Sequence, residues 1–312
     1  MYRIGIDIGG TNIAAGLVDE TLRIVDRVSV KTHLPTTPEL LQEKAAAAVW
    51  TLLERNGISK TQVRSVGVGV PCTANEATGE MEDASHLGFE RGALAKPLQE
   101  RLGIPVAIGN DANAAAWGEY KTCGYDADSF VLITLGTGIG GGIILADRLW
   151  SGINYAAGEL GHMVIHAGGA RCCCGRRGCF EAYASATALI AQAKERMKQD
   201  PDTLLWQLCG GRLDGVEAKT VFDGAAQKDP ASLVLLDAYT GYLAEGIANI
   251  INIFQPAVLC IGGGVSAAGE ALLGPVREKV APMIYTRNCG INTQIMVARL
   301  GNDAGIIGAA ML

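Results

Sequence analysis

Apolar residues fall on alternate positions from Tyr2 to Ile8, a half-buried strand pattern. The sequence Gly9-Gly10-Thr11 interrupts the pattern, a second strand pattern runs from Asn12 to Val18, and a third from Leu22 to Val30 completes a strand meander. The period then changes. Leu41, Ala45, Val49, Leu52 and Leu53 share one face at helical spacing, with Pro38 at the entrance and Gly57 at the exit. Val63–Val70 reads as a buried strand, and a helix near Arg91–Leu102 and a strand over Pro105–Ile108 follow. Farther on, the opening repeats: strand Phe130–Leu135, the glycine turn GTGIGGG, strand Ile143–Ala146 and a turn at Asp147-Arg148. Helices are expected around Ala182–Lys198, Val216–Gln227 and Ala231–Phe254. The buried strand Ala257–Ile261 runs into GGGVS, and strand Thr293–Ala298 precedes a Gly/Ala-rich terminal helix, Asp303–Met311. Two similar halves, each opening on a glycine turn between strands, predict an α/β protein of two lobes with a nucleotide held between them.

Composition narrows the partners. With 312 residues, 49% of them hydrophobic, the chain can bury a sizeable core, and two lobes suit it better than one. No apolar run approaches the ~18 residues needed to span a bilayer. The balance of 32 acidic against 26 basic residues gives a net charge of −6, so neither nucleic acid nor an anionic membrane is an expected partner, and a cytoplasmic protein is expected. The 41 glycines cluster at 9–10, 140–142 and 262–264, where backbone must turn tightly or approach a ligand.

In DIGGTN (7–12), bare glycine amides suit phosphate oxygens, Thr11 offers a hydroxyl, and Asp7 can hold magnesium directly or through water. LGTGIGGG (135–142) offers the same chemistry with Thr137. It departs from the dinucleotide fingerprint, because strand rather than helix propensity follows, and from the P-loop, because no Gly-Lys-Ser/Thr follows. GGGVS (262–266) follows a buried strand, where close backbone approach suits an adenine. Either glycine turn alone could be an ordinary hairpin; the pair is far more specific. In GNDANAAAWGE (109–119), Asn110 and Asp111 stand at the start of an alanine-rich helix. They read either as a helix cap or as catalytic groups. A helix N-terminus lowers an aspartate's pKa, which phosphoryl transfer tolerates because a loose transition state deprotonates the hydroxyl late.

The segment GELGHMVIHAGGARCCCGRRGCFEAYAS carries His162, Cys172, Cys174 and Cys179, one imidazole and three thiolates that suit tetrahedral zinc. Glu159 and Glu181 bracket these donors. A metal-free cysteine-rich loop is the alternative, and the extra Cys173 offers competing ligand sets. The nine cysteines are odd in number, which disfavours a disulfide framework.

Taken together, these motifs resemble the ROK family of sugar kinases and repressors within the actin-like ATPase (ribonuclease H-like) fold, and the match covers nearly the whole chain. The resemblance implies a small lobe at 1–112, with helix 302–312 packing back on it, and a large lobe at 113–301 that bears the zinc segment, nucleotide and sugar occupying the cleft between lobes. It implies that Asp111 is the catalytic base and that Asn110, Glu159, His162 and Glu181 contact sugar hydroxyls, His162 also binding zinc. Asp7 would organise magnesium, and Gly9, Gly10, Thr11, Asn12, Gly136, Thr137 and Gly138 would hold ATP phosphates, with Gly262, Gly263 and Gly264 at the nucleotide. The implied cofactors are ATP, Mg2+ and Zn2+, and a homodimer or homotetramer is expected.

Two positions depart from the pattern: Pro71-Cys72 stands for Pro-Gly, and His86-Leu87 for Asn-Leu, which makes His86 a candidate sugar contact. The dense CCCGRRGCFE form is closer to the glucokinase-type branch, so the expected reaction is phosphorylation of the 6-hydroxyl of glucose or a related aldohexose, with an N-acetylmannosamine or N-acetylglucosamine kinase as the alternative. A repressor is not expected, because DIGGTN begins at residue 7 and leaves no room for a winged-helix domain ahead of it. An iron–sulfur activase is disfavoured by His162 among the donors, and a non-catalytic sugar-binding module by the presence of both Asp7 and Asp111.

Overall fold

A computed structural model describes residues 1–312. The chain divides into two compact units, one of Met1–Asp128, Gly142–Gly158 and Arg299–Leu312, the other of Ser129–Gly141 and Glu159–Ala298.

In the first unit, strands β1 (Tyr2–Ile8), β2 (Asn12–Val18) and β3 (Ile24–Lys31) form the antiparallel meander. Helix α1 (Pro38–Asn56) starts at a Thr37 cap and stops at left-handed Gly57, as the sequence signals predict. Strand β4 (Val63–Val70) adds parallel to β1, and β8 (Val106–Asn110) parallel to β4, giving the order β3-β2-β1-β4-β8. Short strands β5 (Thr73–Asn75), β6 (Glu80–Glu82) and β7 (Arg91–Ala93) make a separate antiparallel sheet. Helices α2 (Ala95–Leu102) and α3 (Asp111–Thr122) flank β8 in sequence.

Strand alternation gives the sheet two different faces. Ile4, Ile6 and Ile8 are fully buried in a core with Leu41, Val49, Leu52 and Leu98. On the other face Gly5 and Gly67 are register partners, and a Cβ on either would overlap the backbone of the C-terminal helix, Asp303–Ala309, at Ile306 and Ala309. These two glycines therefore let helix backbone lie directly on strand backbone. Gly118 of α3 and Gly308 of the terminal helix are equally close, each lacking room for a Cβ against the other helix.

The second five-stranded sheet comprises β9 (Ser129–Leu135), β10 (Ile139–Leu145), β11 (Arg148–Leu149), β12 (Val258–Gly262) and β13 (Gln294–Val297) in the order β11-β10-β9-β12-β13. This repeats the first sheet's plan: a meander, then two parallel additions at the edge of its first strand. Helices Ala186–Gln199, Ala218–Ala226 and Pro230–Phe254 pack together in the second unit.

Four elements differ from the sequence expectation. The helix expected near Arg91 begins at Ala95, because Arg91 joins the small sheet and its guanidinium reaches Glu80 (2.7 Å) and Glu82 (2.9 Å). The third strand starts at Ile24 rather than Leu22, which has φ 62° in a turn whose Thr21 and Arg23 amides donate to Asp19. Strand β10 starts at Ile139 and takes in the glycine run, since a Cβ on Gly142 would collide with Ala116 of α3. The helix expected over Ala182–Lys198 is two, Glu181–Ala184 and Ala186–Gln199, split at extended Ser185, whose hydroxyl caps the second by accepting the Ala188 amide (3.1 Å). The small sheet and helix Glu270–Val280 lay outside the sequence reading; the helix carries Pro275 in its interior, which blurs its signal.

Candidate functional site

Three adjacent parallel strands of the first unit end where the candidate residues lie. Asp7 is on β1 and pairs with Gly69 of β4; Gly69 pairs with Gly109 of β8, next to Asn110 and Asp111. A Cβ on Gly69 would lie 3.4 Å from the Asp111 Cα, so Asp7 and Asp111 flank one side-chain-free position on a single sheet face. Ligands of open α/β sheets bind beyond such carboxyl ends.

Of the two neighbours at the start of α3, one is the cap. Asn110 is the cap: its side chain accepts the Asn113 amide at 3.0 Å and donates to the Cys72 carbonyl at 3.3 Å. Asp111, one residue inside the helix, accepts its neighbour's amide, from Ala112 at 2.8 Å. Capping thus accounts for Asn110. Burial first, and then the Asp111 carboxylate, push the Cys72 thiol up to about 12, so this departure from the family pattern is a neutral thiol near Asp111.

Burial also raises the Asp7 carboxyl above its ordinary range. A buried carboxylate with that cost is a site that a hard divalent cation would relieve. The adjoining turn is closed by Gly9 N–H to Asn12 O (2.8 Å) and braced by Thr32, whose hydroxyl donates to Gly9 O (2.7 Å) and whose amide donates to Thr11 O (2.9 Å). The Gly10 and Thr11 amides are exposed and bond to nothing else in the chain, which fits phosphate oxygens. His86 is exposed in a single 3-10 turn, Ser85–Leu87.

In the second unit, Gly136–Gly138 turns between β9 and β10 with Gly136 N–H to Gly138 O at 3.0 Å, leaving Thr137 exposed. Gly262–Gly264 leave the end of β12; Gly263 has φ 81°, and a Cβ there would press on Leu135 backbone.

The zinc segment brings its donors together. Cys172 Sγ is 3.5 Å from His162 Nδ1, Cys174 Sγ is 3.6 Å from Cys179 Sγ, and the four donor atoms lie within 4.8 Å of one another. A zinc tetrahedron with Zn–S of about 2.3 Å and Zn–N of about 2.0–2.1 Å has S···N edges near ~3.5 Å and S···S edges near ~3.8 Å, so the set fits the ion. The other ring nitrogen, Nε2, faces Glu159 Oε2 at 3.9 Å. His162, Cys173 and Glu181 form a second, overlapping donor group. Glu181 does more than bracket the donors: its Oε2 accepts the Ile139 amide at 2.8 Å, and its Oε1 accepts from Cys173 Sγ at 3.2 Å.

Residues 3–312 match the sequence model of the ROK family. The chain belongs to the ROK family. It is 37% identical to a glucokinase of Streptomyces coelicolor, over 99% of this chain and 96% of the relative. An N-acetylmannosamine kinase of Citrobacter koseri is 33% identical over 100% and 98% of the two chains. Among solved structures, a ROK glucokinase from Streptomyces griseus in complex with glucose and AMPPNP is similar with TM-score 0.88 and 37% identity, over 100% of this chain and 98% of that one. The fold is the actin-like ATPase fold expected from the motifs. No helix of this ROK protein is long and apolar enough to cross a membrane.

Sequence reasoning passed over residues that hold this ROK site in place. Glu119 is fully buried, and its carboxylate accepts the amides of Arg299 (2.7 Å) and Leu300 (2.9 Å) and the Tyr125 hydroxyl (2.6 Å), fixing the strand-to-helix connection ahead of the terminal helix. Its position was legible, since Ala112, Ala115, Ala116 and Glu119 share the buried face of α3. Ala186 and Thr187 fasten the second glycine turn through Gly136 O (2.9 Å) and Thr137 O (2.8 Å), contacts that no local spacing announces.

Proposed function

We propose that this sugar kinase transfers the γ-phosphoryl group of ATP to the 6-hydroxyl of an aldohexose, with glucose as the preferred acceptor. The observation that carries the reading is the placement of Asp111 at the start of α3, across the side-chain-free Gly69 position from Asp7 at the strand ends. In the reaction the sugar oxygen bonds to phosphorus, the bond from phosphorus to the ADP oxygen breaks, and Asp111 takes the hydroxyl proton as it is released. Asp7 would hold magnesium through its carboxylate, and the Gly10, Thr11 and Gly136–Gly138 backbones would hold phosphates. Bound magnesium would neutralise the charge developing on the phosphates.

For the sugar, the supporting groups are Asn110, Glu159, His162 and Glu181. His162 presents Nε2 on the side of Glu159 while Nδ1 faces Cys172, so one imidazole can serve a metal and a hydroxyl with its tautomer fixed. Zinc in the His162, Cys172, Cys174, Cys179 set would cross-link a segment that has little regular structure of its own. The likeness to an N-acetylmannosamine kinase supports a second acceptor class, and exposed His86 is, with Cys72, one of two positions at which this chain differs from the family pattern near the expected sugar. The deciding experiment is a coupled ADP-release assay over hexoses and N-acetylhexosamines. The proposal expects glucose to have the highest kcat/KM; a preference for N-acetylmannosamine would replace it with the second reading, and no turnover on any sugar would overturn it.

A further inference from the structure

The turn Gly136–Gly138 is fastened at three points, and every fastening comes from residues just beyond the cysteine cluster. Glu181 Oε2 accepts the Ile139 amide (2.8 Å), the Ala186 amide donates to Gly136 O (2.9 Å), and the Thr187 hydroxyl donates to Thr137 O (2.8 Å). Gly138 has no room for a Cβ, because the Glu181 carboxylate fills that space. The same carboxylate lies 3.2 Å from Cys173 Sγ and 3.9 Å from Cys172 Sγ, and Cys179 is two residues before it. One side chain therefore joins the metal-binding segment to the glycine turn.

We propose that Glu181 is a positioning residue for the nucleotide: it holds the Gly136–Gly138 turn in its phosphate-binding form, so that the cysteine segment sets nucleotide affinity as well as sugar recognition. The inference rests on the reading of Gly136–Gly138 as a phosphate turn. Its physical basis is preorganisation. A carboxylate accepting a backbone N–H is a charge-assisted hydrogen bond, and without it the turn must be ordered at the expense of binding. Glutamine at this position keeps an oxygen acceptor for the Ile139 amide and loses the charge, whereas alanine loses both.

The test measures binding of AMPPNP with magnesium by calorimetry in the absence of sugar, with zinc content determined on the same samples. Glu181→Ala should raise the nucleotide Kd by ~10-fold, the scale of one charge-assisted hydrogen bond. Glu181→Gln should stay within ~3-fold of wild type, and both variants should keep the wild-type zinc content. Thr187→Val, which removes a second fastening without touching the cysteine segment, should raise the Kd in the same direction. Wild-type nucleotide affinity in both Glu181→Ala and Thr187→Val would overturn the proposal, as would loss of zinc in Glu181→Ala, which would place the carboxylate in the metal's donor set. Thr137→Ala separates this failure from that of the underlying reading. If Thr137→Ala weakens AMPPNP while Glu181→Ala does not, the phosphate turn stands and only the positioning role falls; if neither variant changes the Kd, the turn is not a phosphate site.

Discussion

The strand ends that carry Asp7 and Asp111 and the segment that carries the four metal donors fix their side chains by opposite means. At the strand ends, position comes from covalently continuous regular structure: three parallel strands in register, a capped helix, and glycines that let the terminal helix touch the sheet backbone. Between Gly158 and Phe180 the only regular elements are one 3-10 turn, Leu160–His162, and two isolated bridges, Val164 with Cys179 and Arg171 with Arg177. Few side chains there are buried, chiefly Leu160, Cys179 and Phe180. A stretch that buries so little holds four donors with little packing, and a metal cross-link would supply what the core does not. Asp7 and Asp111 are thus placed by the fold, whereas a metal on the four donors would help to place those side chains.

Removing the metal tests that contrast most severely. Chelation, or Cys174→Ala, should abolish sugar phosphorylation and speed amide exchange through residues 158–180, while amides of β1, β4 and β8 keep their protection. Full activity with no bound metal would show that the segment holds itself.

Asp7 provides a second break point within the well-ordered region. Burial raises its folded-state pKa, so the native state binds the proton more tightly than the unfolded chain and loses stability as pH climbs from the unfolded value through the raised one. Above that raised value the carboxylate's charge is a liability that the asparagine variant removes. Asp7→Asn should raise Tm at pH 7 in metal-free buffer, lose that advantage at acidic pH, and lower turnover by ~10-fold or more through weakened magnesium binding. A lower Tm at every pH would show that the carboxylate is satisfied as it stands.

The smallest expected effect is at Glu159, which is exposed and faces His162 Nε2. Glu159→Gln should weaken glucose binding by ~1–3 kcal/mol and leave AMPPNP affinity unchanged, because its contacts are on the sugar side of the imidazole. An equal loss in both ligands would place Glu159 in the general stability of the segment.

Much of this was legible in the sequence because the informative contacts are local. Pro38 and Gly57 mark the ends of α1 by residue type, and the four candidate donors sit within eighteen residues, so their grouping could be read from spacing. The meander that opens each half was also legible, whereas the order in which later strands join it was not. What stayed hidden depends on long-range contact. Arg91 reads as helical until its pairing with Glu80 and Glu82 is seen, and Ser185 until its capping of the following helix is seen. Glu181 reads as a sugar contact, and its further bond to Ile139, which spans 42 residues, belongs to a turn made earlier in the chain. The cap-or-catalyst question at Asn110-Asp111 needed side-chain geometry, since both residue types favour helix starts.

The most direct test of the account is the turnover of Asp111→Asn with glucose, measured beside its glucose and AMPPNP affinities. Asparagine preserves the shape of the side chain, and Asn110 still caps α3, so folding and both affinities should stay near wild type while kcat falls by ~10² or more, the usual scale for a lost general base. A variant that turns over glucose at the wild-type rate would contradict the account, leaving Asp111 as a helix residue and the base elsewhere.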